Sequence, residues 1–336
     1  MNLKAALMGA AAVALFAGAA SAADLACLIT KNNTNPFFVK MKEGAEAAAT
    51  AAGMDFQAYA GEKDGDAAPQ ITAIENCVAA GAKGILITPS NDSVGPALKD
   101  ARAAGILVIA LDTPLADADA QDMTFATDNF EAGLLIGKWA AATLGAEGVK
   151  TAKIGMLDIN KDNISVDVAR DTGFLVGFGI EVPDLKVMGS ETDPRVIGHE
   201  QSDANAAGGV TSVENLLAKD PDMNVVYTIN EPAAEGAFQA LTAAGKTGVL
   251  VVSVDGGCPG IASVKAGVIG ATSQQYPLKM AALGIDAIAA FAKDGTKPAA
   301  SEGLTFFNTG VNLVTDKPVE GVPSIDSTTG TELCWG

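Results

Sequence analysis

The feature that most constrains this chain is a layout that it carries twice. Ile74-Glu75-Asn76, Gly84-Ile85-Leu86-Ile87, Ala104-Gly105 and Val108 to Asp112 are answered by Val213-Glu214-Asn215, Asn224-Val225-Val226-Tyr227, Ala244-Gly245 and Val249 to Asp255. In each half a helical pattern, a short apolar run, a second helical pattern and another apolar run follow one another. Apolar runs of this length between helices read as βαβ units whose parallel strands are buried on both faces. The chain therefore reads as α/β, with two similar lobes built on doubly wound parallel sheets. In each lobe an Asp stands at the carboxyl end of a strand, where open α/β sheets bind ligands. Two such edges facing one cleft make a clamp.

Residues 1–22 have the charged start (Lys4), the small apolar run and the Ala20-Ser21-Ala22 ending of a secretory signal, and are set aside from the fold. The apolar run is shorter than the roughly 20 residues that span a bilayer. Residues 23–336 exceed one typical domain, in keeping with two cores. A net charge of −18 repels nucleic acid and anionic lipid, so neither is expected as a partner, and the mature chain is expected to be secreted and soluble. In an oxidising compartment four cysteines favour bridges, with three pairings open. Cys27 with Cys77 and Cys258 with Cys334 keep each bridge inside one lobe and leave the cleft unlocked. Buried free thiols are the alternative.

The first strand spans about residues 25–30, and a helix starts near Pro36 and ends before Gly53. At Thr127-Asp128-Asn129 a new helix restarts the alternation. After Tyr276-Pro277 another helix runs to about Lys293, followed by a tail punctuated by Pro and Gly. The expected organisation is one lobe of residues 23–126 plus 276–300 and a second of 127–275 plus 301–336. Crossings near Asp128, Gln275 and Ser301 then form a hinge.

Asn35 caps a helix whose first residue is Pro36. Capping does not explain the adjacent Phe37 and Phe38, and an aromatic face suits the C–H face of a sugar. Asp112 and Asp255 accept hydrogen bonds from paired hydroxyls, Arg170 supplies donors, and the amides of Asn230 and Gln275 do both. Signals for an enzyme are poor. There is no nucleophile elbow, phosphate loop or dinucleotide glycine pattern, and no cofactor is expected. His199 is the single histidine, in a polar stretch, and reads as a surface residue. Residues 158–163 begin like a calcium loop but carry Asn163 at the glycine position and Ala169 at the bidentate-acid position, so no metal is expected there.

Asn35-Pro36-Phe37-Phe38, Ile85-Leu86-Ile87-Thr88-Pro89-Ser90, Ile109-Ala110-Leu111-Asp112, Arg170-x-x-Gly173-Phe174, Asn230-Glu231 and Val254-Asp255-Gly256 together resemble the periplasmic sugar-binding proteins of the ribose-binding type, over essentially the whole mature chain. Asp112-Thr113-Pro114, Asp255 to Gly260, Gln274-Gln275-Tyr276-Pro277 and the ending Cys334-Trp335-Gly336 are similar to the fructose-binding component of bacterial ABC importers. The resemblance implies a type I periplasmic binding fold, expected as a monomer in the periplasm, that closes on one unphosphorylated monosaccharide and docks on an inner-membrane ABC permease. It implies that Asn35 bonds hydroxyls, that Phe37 and Phe38 sandwich the ring, and that Asp112, Arg170, Asn230, Asp255 and Gln275 complete the polar shell. Where the ribose binder has an arginine after the first-lobe aspartate this chain has Thr113, which reshapes the pocket; fructose is expected first, then mannose or ribose, with a different small sugar or polyol as the alternative ligand. Asn205 is the candidate replacing a further ribose-binder aromatic. A binding protein serving a chemoreceptor or sensor kinase is the alternative. A sugar-responsive DNA regulator is disfavoured by the signal segment and the acidity.

Overall fold

The computed structural model describes residues 23–336; the expected signal segment lies outside the described residues. The first lobe begins with β1 (Leu25–Thr30), α1 (Pro36–Ala52), β2 (Asp55–Ala60), α2 (Ala68–Ala79), β3 (Gly84–Ile87), α3 (Gly95–Ala103), β4 (Leu107–Leu111) and β5 (Met123–Ala126). The second follows with α4 (Asn129–Lys150), β6 (Ile154–Asp158), α5 (Ser165–Phe178), β7 (Val196–Gln201), α6 (Ala206–Lys219), β8 (Val225–Thr228), α7 (Glu231–Ala243), β9 (Leu250–Asp255), α8 (Cys258–Lys265) and β10 (Ala271–Gln274). The chain ends with α9 (Pro277–Asp294), β11 (Phe307–Asn308), β12 (Asn312–Val314) and α10 (Ser327–Leu333).

Two six-stranded sheets result, ordered β2-β1-β3-β4-β5-β11 and β7-β6-β8-β9-β10-β12. All pairings are parallel except that of β12 with β10. This is the expected pair of doubly wound lobes. Strands β3, β4 and β6 are buried at every residue because helices cover both faces of each sheet, which is why their sequences are continuously apolar rather than alternating. Side chains such as Leu28 and Leu86 pack on one face of the first sheet with Phe38 and Met280, while Ile29 and Ile85 pack on the other with Ile74 and Leu98. The second sheet repeats the arrangement, with Met156 and Val254 toward Trp139 and Phe174, and Leu157 and Val251 toward Leu216 and Leu241.

The chain passes between lobes at residues 127–128, again at 275–276, and a third time after β11. The third crossing differs from the expected Ser301. Phe307 and Asn308 still pair with Phe125 and Ala126 of β5, and the Thr309 amide donates to the Ala126 carbonyl at 2.9 Å. A short edge strand of two residues carries too little periodicity to be read from sequence. Both expected bridges are present, with Cα–Cα distances of 6.3 Å for Cys27–Cys77 and 5.0 Å for Cys258–Cys334. The second ties the C-terminal tail to α8. His199 is not the surface residue expected from its polar surroundings. It lies on β7 with its side chain only 19 % exposed, held between Asp158 and Glu191. No described helix is long and apolar enough to cross a membrane.

Close packing of α4 on α5 depends on glycine. A Cβ at Gly133 would lie 2.0 Å from the Arg170 carbonyl oxygen, and one at Gly173 would lie 2.2 Å from that of Phe130. Gly137 and Gly177 repeat the contact one turn on. Only backbones without side chains can approach so closely, and this approach sets Asn129 of α4 beside Arg170 of α5.

Candidate functional site

Strand ends and helix starts of both lobes converge on a cavity of about 30 Å³. From the first lobe come Asn35, Phe37, Phe38 and Asp112; from the second come Arg170, Asn230 and Asp255, with Gln275 at a crossing. Eight of the nine residues expected from sequence therefore share one cavity. Asn205 does not. It is exposed and caps α6, its side-chain oxygen accepting from the Gly208 amide at 2.9 Å, and its neighbour Ala204 lines the cavity instead. An Asn before a helix is most simply a cap.

Asp112 leaves β4 with φ 63° and Asp255 leaves β9 with φ 141°. Positive φ is costly for a side chain other than glycine's, and it is held where the surroundings over-determine the backbone. The duplicated layout thus ends in duplicated strain, with a carboxylate aimed inward from each lobe. Arg170 stands between them. Its Nε donates to Asn129 Oδ1 at 2.7 Å, its Nη1 to the Ile229 carbonyl at 3.1 Å, and its Nη2 lies 3.6 Å from Asp112 Oδ1 across the cleft. Thr113 donates to Asp112 Oδ2 at 2.8 Å, and Gln275 Nε2 to Asp255 Oδ1 at 2.8 Å. Asp112 Oδ1 and Gln275 Oε1 are buried without a hydrogen-bond partner. Buried acceptors of this kind call for donors.

Burial pushes the Asp255 carboxyl up to about 6, against the pull of the Arg170 charge. Behind it, Glu231 fastens the turn that follows. Its Oε1 accepts from the Gly256 amide and the Thr272 hydroxyl, both at 2.8 Å, and its Oε2 from the Gly257 amide at 3.0 Å. Burial and the neighbouring Asp255 raise this carboxyl to about 8. Gly260 is required there, since a Cβ would lie within 2.1 Å of both Glu231 oxygens.

The two phenylalanines wall one side of the cavity rather than sandwiching it. Their rings meet edge to face, 5.5 Å apart at 81°, so they cannot both stack on one planar ligand. Their adjacency at a helix start dictates this, because neighbouring helical residues point in different directions. Phe37 also meets Trp335 at 5.4 Å, and the Trp335 indole donates to the Gln275 carbonyl at 2.7 Å. Trp335, Lys31 and Asp64 were missed in the sequence. Lys31 follows β1 directly and lines the cavity, at the strand-exit position that singled out Asp112 and Asp255, so the same rule could have found it. Trp335 adjoins Cys334, whose bridge brings the tail back to the cleft.

The periplasmic binding protein domain family matches residues 26–297. The ribose import binding protein RbsB of Salmonella typhimurium is 31 % identical over 290 residues, covering 85 % of this chain and 92 % of that protein. The D-allose-binding periplasmic protein of Escherichia coli is 30 % identical, covering 84 % of this chain and 88 % of that protein. Among solved structures, an ABC transporter solute-binding protein from Agrobacterium vitis bound to α-D-tagatopyranose superposes with a TM-score of 0.75 at 21 % identity, covering 93 % of this chain and 99 % of that one.

Proposed function

The chain belongs to the periplasmic binding protein domain family, and from that premise we propose that it is the sugar-binding component of an ABC importer. It captures one neutral monosaccharide between its lobes, fructose ahead of mannose or ribose, and presents the closed form to a membrane permease. It is a binding protein, not an enzyme, like the ribose- and allose-binding relatives it resembles. Asn35, Phe37, Phe38, Asp112, Arg170, Asn230, Asp255 and Gln275 form its ligand shell.

The observation that carries this reading is the pair of strained strand-end carboxylates facing each other across Arg170. Asp112 Oδ1 and Gln275 Oε1 accept from sugar hydroxyls, Arg170 donates, and the Phe37–Phe38 wall takes the C–H face. A sugar phosphate adds negative charge beside two buried acids, at a cost of several kcal/mol in a low-dielectric cleft. The preference for fructose rests on Thr113. A short hydroxyl bonded to Asp112 stands where the ribose-binding type carries a long cation, which removes a donor suited to ribose.

Closure follows the same geometry. Arg170 to Asp112 and the Ser165 hydroxyl to the Pro114 carbonyl at 3.3 Å both join the lobes, so the ligand is enclosed only when the hinge shuts. Calorimetric titration of protein freed of bound sugar, against fructose, mannose, ribose, galactose and fructose 6-phosphate, tests the reading. Tight fructose with weaker ribose and no sugar phosphate is expected. Tight ribose without a fructose signal refutes the sugar choice, and tight sugar phosphate refutes the electrostatic argument.

A further inference from the structure

One residue beyond Arg170, α5 carries Asp171 into a second polar cluster. Asp158 at the end of β6 and His199 on β7 face it. The His199 Nδ1 lies 2.9 Å from Asp158 Oδ2 and 3.7 Å from Asp171 Oδ2, and its Nε2 lies 2.9 Å from Glu191 Oε1. One ligand-capable atom from each of Asp158, Asp171 and His199 lies within 4.8 Å of the others. Asp171 is 1 % exposed, and neither of its carboxylate oxygens makes a well-formed hydrogen bond, although the buried Tyr227 hydroxyl lies near enough to act on the carboxyl. Asp167 Oδ1 and Glu191 Oε2 are likewise buried without one. So much unpaired carboxylate around a single imidazole is an expensive way to fill a lobe.

We propose that Asp158, Asp171 and the Nδ1 of His199 bind a divalent transition-metal ion, with Zn²⁺ the best fit. Zn–N and Zn–O bonds of about 2.0–2.2 Å place tetrahedral ligands about 3.3–3.5 Å apart. The observed separations of 2.9 and 3.7 Å from Nδ1 bracket that spacing. Two carboxylates balance the ion's charge, and imidazole nitrogen selects a transition metal over Ca²⁺ or Mg²⁺. Glu191 on the far ring nitrogen is the carboxylate–histidine arrangement that orients metal-bound imidazoles. His199 is the partly exposed member of the cluster and so the side from which an ion enters, and a water would complete the fourth position.

The ion joins β6, β7 and α5, the helix that carries Arg170, and so braces the sugar site without touching it. The site stands independently of which ligand the cleft takes. Untagged full chain, stripped with chelator, is titrated with Zn²⁺ alone. One-to-one binding and a saturable rise in melting temperature are expected, with no rise from Ca²⁺. Co²⁺ should give the visible absorption of a four-coordinate site. Asp171→Asn, which keeps the side chain's shape, should abolish stoichiometric binding, and Glu191→Gln should weaken it about 10- to 100-fold. Absence of one-to-one binding, or binding that survives Asp171→Asn, overturns the proposal; the cluster is then bridged by a proton on His199 alone.

Discussion

Truncating Arg170 to alanine separates what holds the second lobe from what closes the cleft. Two of its contacts, to Asn129 and to the Ile229 carbonyl, lie within one lobe and persist when the hinge opens. The third, to Asp112, spans the lobes and exists only in the closed form. With the lobes apart, Asp112 and Asp255 face water. On closure without Arg170 both are buried without the guanidinium that stands between them, with Lys31 the remaining cation on the cavity wall, in a site where burial already pushes Asp255 up to about 6. Removing one partner of a buried ion pair costs about 3–5 kcal/mol, and here that cost falls on the closed, sugar-bound state. At about 1.4 kcal/mol per decade this is a loss in sugar affinity of roughly a hundredfold to a few thousandfold. Calorimetry on Arg170→Ala, Asp112→Asn and the double variant resolves it. The cross-lobe pair should show a coupling energy of about 1.5 kcal/mol or more. Additive losses would mean that Arg170 acts only inside its own lobe, and an unchanged affinity in Arg170→Ala would remove it from the site.

Two further outcomes are expected. Glu231 is raised from 4.5 to about 8, so the folded chain keeps a proton that the unfolded chain has released; its contribution to stability is complete below pH 4.5 and is lost as pH climbs through about 8. Thermal melts across that window should fall for the wild type and be flatter for Glu231→Gln, and parallel profiles would refute the assignment. Asn205→Ala should lower stability by about 1 kcal/mol through loss of the α6 cap and leave sugar affinity unchanged. An affinity loss there would return Asn205 to the ligand shell.

Much of the site was legible because strand exits are local events. The runs ending in Asp112 and Asp255 announce both the strand and the position of the carboxylate, and Asn35-Pro36 announces the start of α1. Pairing cysteines within lobes followed once the lobes were drawn. Asn205 was misread because an Asn in a loop before a helix has the same sequence signature whether it caps or binds. Its neighbour's position in the cavity depends on how α6 sits against α7 and β7, which no local pattern encodes.

Apolar periodicity, caps and strand-end acids by themselves determined two doubly wound lobes, their alternation and eight of the residues lining the cleft, since these signals are local. Only the tertiary structure decided the rest. Asp158, Asp171, Glu191 and His199 come from two strands, a helix and a loop, and at the level of sequence they are scattered polar residues. The glycine contact of α4 on α5 sets the orientation of Arg170 and carries Asp171 inward. The third crossing falls at Thr309 because two residues of β11 complete the first sheet's edge. Each of these outcomes depends on how rigid elements pack at fixed distances and angles, which a pattern along one chain does not record.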